Sequence, residues 1–121
     1  MPAHEKINYV EFPATDLSRT KAFFEAAFGW SFVDYGPDYI AFSNQGLDGG
    51  FYRSELSART DRGSALIVLY SDSLEATQAK VENAGGRIVK PIFSFPGGRR
   101  FHFIEPSGNE FAVWGEAGAI R

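Results

Sequence analysis

Residues 16–29 read DLSRTKAFFEAAFG, and residues 72–85 read DSLEATQAKVENAG. Each stretch begins with an aspartate, which can accept hydrogen bonds from the free amides at a helix start, and ends with a glycine, which can adopt the left-handed conformation at a helix stop. In the second stretch, Asp72 and Glu75 also have the spacing of a capping box. Two helix starts and two helix stops at the same separation of 13 residues predict an internal repeat, with one copy in each half of the chain.

Short apolar segments flank both predicted helices in the same order and predict strands. The predicted strands are residues 7–12, 30–35, 39–43, 50–53, 65–70, 100–104 and 110–114, together with a strand that starts at residues 87–89. The predicted fold class is therefore α+β, with two tandem β-α-β-β-β modules that form a curved, half-closed, eight-stranded mixed sheet with the helices outside. We expect a single domain over residues 1–121, with module one at about 6–54, a polar linker at about 55–63 and module two at about 64–116.

The composition excludes several classes of function. A net charge of −3 and a pI near 5.3 argue against a nucleic-acid partner, and for Arg53, Arg99 and Arg100 a solvated position is favoured over contact with an anion. No apolar run is long enough to span a membrane, and the N-terminal residues lack the hydrophobic segment of a signal peptide. The chain has no cysteine, which excludes a thiolate nucleophile. We expect a cytoplasmic protein without a membrane partner.

Three segments together resemble a known family. They are VEFPATDL (10–17) followed by FF (23–24) and FGW (28–30), then VENAGGRIV (81–89), and then FIEPSGNE (103–110). Their order and spacing are similar to those of the vicinal-oxygen-chelate superfamily, which groups glyoxalase I, bleomycin-resistance proteins and extradiol dioxygenases. The resemblance covers about residues 6–116. It implies paired β-α-β-β-β modules, a homodimer, and a site in the cup of the sheet.

The resemblance also implies where a divalent metal would bind. The superfamily's enzymes take histidine and glutamate ligands from the first and last strand of each module. The matching positions in this chain are Tyr9, Tyr52, Ala65 or Leu66, and Ala112. None of them is a histidine or a carboxylate, which are the ligands that such a metal requires. We therefore expect no metal cofactor.

Other side chains are candidates for a site on the same face. By the alternation of a strand, Glu11 and Glu110 are predicted to point into the cup, and His102 lies on the predicted seventh strand. A cluster of these three would be a catalytic acid/base set or a replacement metal site. The alternative is that the glutamates face solvent and that His102 has a structural role.

Three functions agree with these patterns. The first is a small-molecule-binding protein of the bleomycin-resistance type, in which Tyr9, Tyr52 and Trp114 stack on a planar or apolar ligand. The second is a lyase or isomerase of glyoxalase type with a rearranged or metal-free site, which uses His102 and one of the two glutamates. The third is a dimeric interaction module whose own side chains fill the cup. The missing metal ligands and the abundance of aromatic residues favour the first.

Overall fold

Each half of the chain folds into one helix and four strands in the computed structural model, which describes residues 2–117. The first half contains β1 (Tyr9–Ala14), α1 (Leu17–Phe28), β2 (Phe32–Asp34), β3 (Tyr39–Gln45) and β4 (Leu47–Arg53). The second half contains β5 (Ile67–Tyr70), α2 (Leu74–Asn83), β6 (Arg87–Phe95), β7 (Gly98–Ile104) and β8 (Glu110–Glu116). A short 3-10 helix (Thr60–Arg62) lies between the halves. The predicted repeat is confirmed.

The eight strands of residues 2–117 form two four-stranded sheets. Sheet 1 has the order β1-β4-β3-β2, and sheet 2 has the equivalent order β5-β8-β7-β6. In both sheets the first strand pairs in parallel with the last, and the other neighbours are antiparallel. The α+β class with tandem modules and mixed, unclosed sheets is confirmed, and the strands are divided between two hydrogen-bonded sheets.

The first helix begins and ends as its sequence predicts. The Asp16 carboxylate accepts a hydrogen bond of 3.0 Å from the amide of Arg19. At the other end Gly29 has a φ of 71° and donates its amide to the carbonyl of Glu25, which satisfies a carbonyl of the last turn. Neither helix within residues 2–117 is both long and apolar enough to cross a bilayer.

The second helix begins one residue later than the capping box predicts. Its N-cap residue is Ser73, which makes no side-chain hydrogen bond to the helix. Instead, the hydroxyl of Ser71 accepts the amide of Ser73 and lies 2.6 Å from the hydroxyl of Thr77. The predicted capping role of Asp72 is therefore wrong, because Ser71 satisfies the amide before the helix. The predicted stop is confirmed, since Gly85 has a φ of 104°.

Aromatic side chains form one core that both halves share. The ring of Phe24 on α1 packs against Phe51 of sheet 1 at 5.6 Å and against Phe111 of sheet 2 at 5.2 Å. Phe23, on the same helix, packs against Phe103 of sheet 2 at 5.7 Å. Since each of these rings is at most 1% exposed, one continuous apolar core joins the two modules.

The β7–β8 turn carries a buried polar network, which we call the Glu105 network. The Glu105 carboxylate accepts hydrogen bonds from the Thr20 hydroxyl at 2.6 Å, the Ser107 amide at 2.9 Å and the Asn109 side-chain amide at 2.6 Å. Asn109 also donates to the carbonyl of Pro13 at 2.6 Å. Burial raises the pKa of Glu105 in spite of these bonds. The EPSGN segment (105–109) therefore links the second module to β1 and α1 of the first through hydrogen bonds.

Candidate functional site

Alternation along the strands places all the predicted site residues on the sheet faces turned away from the helices. We call these faces the open faces. In sheet 1 the buried rings of Phe12 and Phe51 lie in the core, so the residues beside them in the chain point to the opposite side. The open face of sheet 1 carries Tyr9, Glu11, Val33, Tyr39 and Tyr52. The open face of sheet 2 carries Val68, Tyr70, Phe93, Arg100, His102, Glu110, Ala112 and Trp114.

The open faces hold much of the apolar surface that the chain leaves uncovered. Residues 2–117 expose nine large hydrophobic side chains, and six of them lie on the open faces. These six are Tyr9, Val33, Tyr52, Val68, Tyr70 and Phe93. Scattered exposed hydrophobic residues are ordinary, whereas a concentration of them on particular faces marks a surface that binds something.

On the open face of sheet 1, two tyrosines and a glutamate form a chain of hydrogen bonds. The Tyr39 hydroxyl donates to Glu11 Oε2 at 2.8 Å, and the hydroxyls of Tyr9 and Tyr39 are 2.6 Å apart. Because an ionised carboxylate only accepts, Tyr9 must donate to Tyr39, which leaves the Tyr9 oxygen as an acceptor for a ligand. Burial, together with these two hydrogen bonds, raises the pKa of Tyr39, so this phenol stays protonated.

Tyr39 was not among the residues predicted for the site. Its position depends on Gly50, which faces it from the neighbouring strand and has no side chain. A Cβ at Gly50 would collide with the Tyr39 hydroxyl and come within 2.8 Å of the carbonyl oxygen of Ile40. The glycine in β4 is the local sequence signal for a close approach at this point, but the residue that approaches is fixed by the register of β3.

On the open face of sheet 2, His102 and Glu110 form a buried pair. His102 Nδ1 lies 2.7 Å from Glu110 Oε2, and the side chains are 2% and 5% exposed. Glu110 Oε1 accepts the amide and the hydroxyl of Thr60, at 2.9 and 2.8 Å. Burial raises the pKa of Glu110, but the hydrogen bonds from His102 and Thr60 outweigh that effect and leave its pKa below the usual value. Glu110 therefore holds both the imidazole and the linker.

His102 has one nitrogen without a partner. Within residues 2–117, Nε2 is buried and makes no hydrogen bond. Since the Glu110 carboxylate can only accept at Nδ1, the neutral ring carries its proton on Nδ1 and presents a bare lone pair at Nε2. This arrangement suits a base or an acceptor, provided that a molecule can reach a side chain that is 2% exposed.

The predicted trio of Glu11, His102 and Glu110 divides between the two sheets. His102 and Glu110 meet on sheet 2, whereas Glu11 is hydrogen-bonded to Tyr39 on sheet 1. Within residues 2–117 no three histidine, cysteine, aspartate or glutamate side chains come together in a group that could hold a metal ion. The catalytic roles proposed for these residues stay predictions.

The positions that match the superfamily's metal ligands do not fit a divalent metal. The Tyr9 hydroxyl is engaged with Tyr39, Tyr52 is 39% exposed on the open face, and Leu66 and Ala112 have hydrocarbon side chains. Zinc and similar ions require imidazole, thiolate or carboxylate donors. The chemistry of this donor set gives no support for metal-based steps in this chain.

Trp114 lies in an aromatic corner of the open face of sheet 2. It pairs across the strands with Arg100 on one side and with Tyr70 on the other. The rings of Tyr70 and Trp114 are 5.1 Å apart in an edge-to-face arrangement. The Tyr70 hydroxyl donates to Glu116 at 2.8 Å, and this hydrogen bond raises the pKa of Tyr70 to about 12. The Tyr70 phenol therefore stays protonated, and it forms a partly apolar surface together with the Trp114 ring.

Two clefts lie beside these clusters. A cleft of about 600 Å³ runs between β1 and the β3–β4 turn of module one on one side and the edge strand β5 of module two on the other, and its lining is mostly apolar. It includes none of the six residues predicted for the site. A second hollow, of about 350 Å³, lies under the linker and contains Glu11 and Tyr52. Of these two clefts, the hollow under the linker contains predicted site residues, and both residues belong to sheet 1.

Comparisons with known proteins agree with this architecture. The profile of the Glyoxalase/Bleomycin resistance protein/Dioxygenase superfamily matches residues 6–113. A glyoxalase-related enzyme from Fulvimarina pelagi has 17% sequence identity and a TM-score of 0.77, with 93% of this chain and 88% of that chain covered. A glyoxalase/bleomycin resistance protein/dioxygenase family enzyme from Burkholderia phytofirmans PsJN has 16% identity and a TM-score of 0.76, with 90% and 97% covered.

A lactoylglutathione lyase from Agrobacterium tumefaciens has 19% identity and a TM-score of 0.71, with 93% of this chain and 95% of that chain covered. A comparison with curated proteins found no match. At these identities the similarity to the solved structures shows a common fold and leaves the chemistry to the side chains described above.

Proposed function

Since the chain belongs to the Glyoxalase/Bleomycin resistance protein/Dioxygenase superfamily, we propose that it binds a small organic molecule on its open faces, without the divalent metal of the superfamily's enzymes. The concentration of exposed hydrophobic side chains on these faces carries the proposal. Tyr9, Tyr52 and Trp114 supply rings on which a planar or apolar ligand stacks. A location in the cytoplasm stays a prediction.

A thermal-shift screen against small aromatic and aliphatic metabolites, run beside a panel of divalent metals, tests this proposal. A compound that binds only the folded state raises the melting temperature. We expect the shift to disappear in Trp114→Ala and to persist in Glu82→Ala, since Glu82 is exposed on α2, on the helix side of the sheets and away from both open faces. Stoichiometric zinc, nickel or iron in the purified protein, or equal shifts in the two variants, would contradict the proposal.

A second copy of the chain completes this site in our proposal. The two clusters lie on different sheets. Within residues 2–117 each open face carries exposed hydrophobic side chains, and the edge strands β1, β2, β5 and β6 each pair with one neighbour. A homodimer in which an open face of one copy meets an open face of the other would enclose a cavity and cover this surface. Sedimentation equilibrium at micromolar concentration should therefore give the mass of a dimer, and a monomer there would remove this part of the proposal.

The second candidate function is metal-free proton transfer in a lyase or isomerase. One observation favours it: Glu110 orients His102 and leaves Nε2 as a bare acceptor, which is the arrangement of an oriented general base. The 2% exposure of His102 counts against it, because a substrate would have to open the site. It is tested by exchange of carbon-bound protons of α-hydroxycarbonyl compounds with deuterated solvent, which His102→Gln should abolish.

The third predicted function, an interaction module with a filled cup, has less support. Side chains that plug a cup pack against each other and lose their exposure. Tyr9 and Tyr52 are 46% and 39% exposed within this chain, which leaves their rings available to a ligand or to a second copy.

A further inference from the structure

Arg100 differs from Arg53 and Arg99 in its surroundings. Arg53 lies 3.3 Å from Asp38, and Arg99 lies 2.6 Å from Glu75. Within residues 2–117, Arg100 is half-buried, forms no ion pair, and has a buried Nε without a hydrogen-bond partner. A half-buried cation without a counter-charge is unfavourable, so the expectation of a freely solvated side chain does not describe Arg100.

Aromatic rings hold the Arg100 side chain in place. Its Cζ lies 5.4 Å from the ring centre of Phe93 and 5.7 Å from that of Phe95. A guanidinium that stacks on rings keeps its in-plane N–H groups free, and these groups match the geometry of a carboxylate or phosphate. Because the side chain is already ordered, a ligand loses little free energy in fixing it.

A second cation, Lys90, lies near Arg100. Lys90 lies one row away on the same face, opposite His102, and forms no ion pair within residues 2–117. The two carboxylates on this face are engaged elsewhere: Glu110 with His102 and Thr60, and Glu116 with the Tyr70 hydroxyl. The formal charges on this face cancel, two cations against two carboxylates. Within residues 2–117 neither carboxylate pairs with Arg100 or Lys90, so both cations remain available to an anionic ligand.

We propose that Arg100 anchors the anionic group of the ligand, and that this ligand is a carboxylate carried on a planar aromatic body. Trp114 pairs directly with Arg100, and Tyr70 pairs with Trp114, so a ring that extends from the anchored carboxylate lies along this row of aromatic side chains. The inference rests on the proposed function, because it assigns the chemical class of the ligand at the open face of sheet 2.

The test compares 2-naphthoate with its neutral isostere 2-naphthamide, and both with inorganic phosphate. Binding is followed by calorimetry and by the fluorescence of Trp114, in a Trp30→Phe background. We expect naphthoate to bind at least about tenfold more tightly than naphthamide. In Arg100→Gln this preference should vanish while naphthamide binding stays within about twofold. Arg100→Lys should keep part of it, and Arg19→Gln, which removes an exposed charge on α1, should keep all of it.

Each outcome decides a different point. If naphthamide binds as tightly as naphthoate, or if Arg100→Gln keeps the preference, the anchor is wrong while the binding function stands. If phosphate competes with naphthoate at equal affinity, the aromatic body is wrong and only an anion site remains. If neither aromatic probe binds, the ligand class is wrong, and the metabolite screen decides the proposed function independently. Arg100→Lys keeps the test decisive if Arg100→Gln fails to fold.

Discussion

Several side chains of this protein have roles that their residue types alone do not reveal. Glu110 was predicted as a catalytic residue, and in the structure it accepts hydrogen bonds from Thr60 and His102. Tyr39 and Arg100 were not predicted for the site, although each lies among the predicted residues. The alternation of residues along the strands predicted which side chains share a face. The hydrogen-bond partner of each side chain depends on cross-strand register, which no local pattern in the sequence encodes.

The role of Glu110 predicts a specific effect of pH. Its pKa is lowered in the folded state, so its charge stabilises the fold above its unfolded pKa of about 4.3, and this stability is lost as the pH falls through the folded pKa. Glu110→Gln should reduce the free energy of unfolding at neutral pH by about 2 kcal/mol and should flatten its decline in acid. Urea unfolding across this pH range measures both effects.

Glu25→Gln is the matched control, because Glu25 is exposed on α1. It should retain the acid dependence of the wild type. An acid dependence in Glu110→Gln that equals that of Glu25→Gln would show that the Glu110 charge contributes nothing to folding.

At the scale of elements, the two helices differ at their N-caps. The N-cap side chain of α1 accepts a hydrogen bond from the helix, and that of α2 does not. Both stretches of sequence begin with aspartate. Asp16 accepts the amide of Arg19 in α1, whereas before α2 it is the Ser71 hydroxyl, and not Asp72, that accepts the amide of the N-cap residue Ser73. Asp16→Ala should therefore destabilise the protein by about 1 kcal/mol, whereas Asp72→Ala should change its stability by less than about 0.5 kcal/mol. Thermal or urea unfolding of the pair is the measurement, and equal losses would contradict the assignment of the caps.

Element order was predictable because caps and glycine stops act locally, over a few residues. The ends of the strands were harder to predict. The fourth strand was predicted to begin at Gly50, yet β4 begins at Leu47, and both Gly49 and Gly50 lie inside it, where each allows a close approach that a Cβ would block. The strand predicted to start at Arg87 runs through Pro91 to Phe95, and register shifts beside Lys90 and Phe93 accommodate the proline.

At the scale of the whole molecule, the proposed homodimer forms through the open faces. Val68 is 40% exposed on the open face of sheet 2, so Val68→Glu should leave the folding of one chain nearly unchanged. The same charge should weaken an interface on that face, because a carboxylate would have to be desolvated there. Sedimentation equilibrium should show dissociation of Val68→Glu at concentrations where Ala79→Glu, an exposed change on α2, remains dimeric.

A Val68→Glu variant that assembles as the wild type does would place the interface elsewhere. Circular dichroism and thermal unfolding at low concentration serve as the check that both variants retain the native fold.

The Glu105 network has a consequence for how the chain reaches this structure. Its hydrogen bond from Thr20 to Glu105 spans 85 residues, and that from Asn109 to Pro13 spans 96. Contacts between such distant parts of the chain form late and slow the folding reaction. Neither half can bury its share of these polar groups alone, so the repeat, in spite of its symmetry, should fold as one cooperative unit. The amides of Ser107 and Asn109 should exchange with solvent only through global opening.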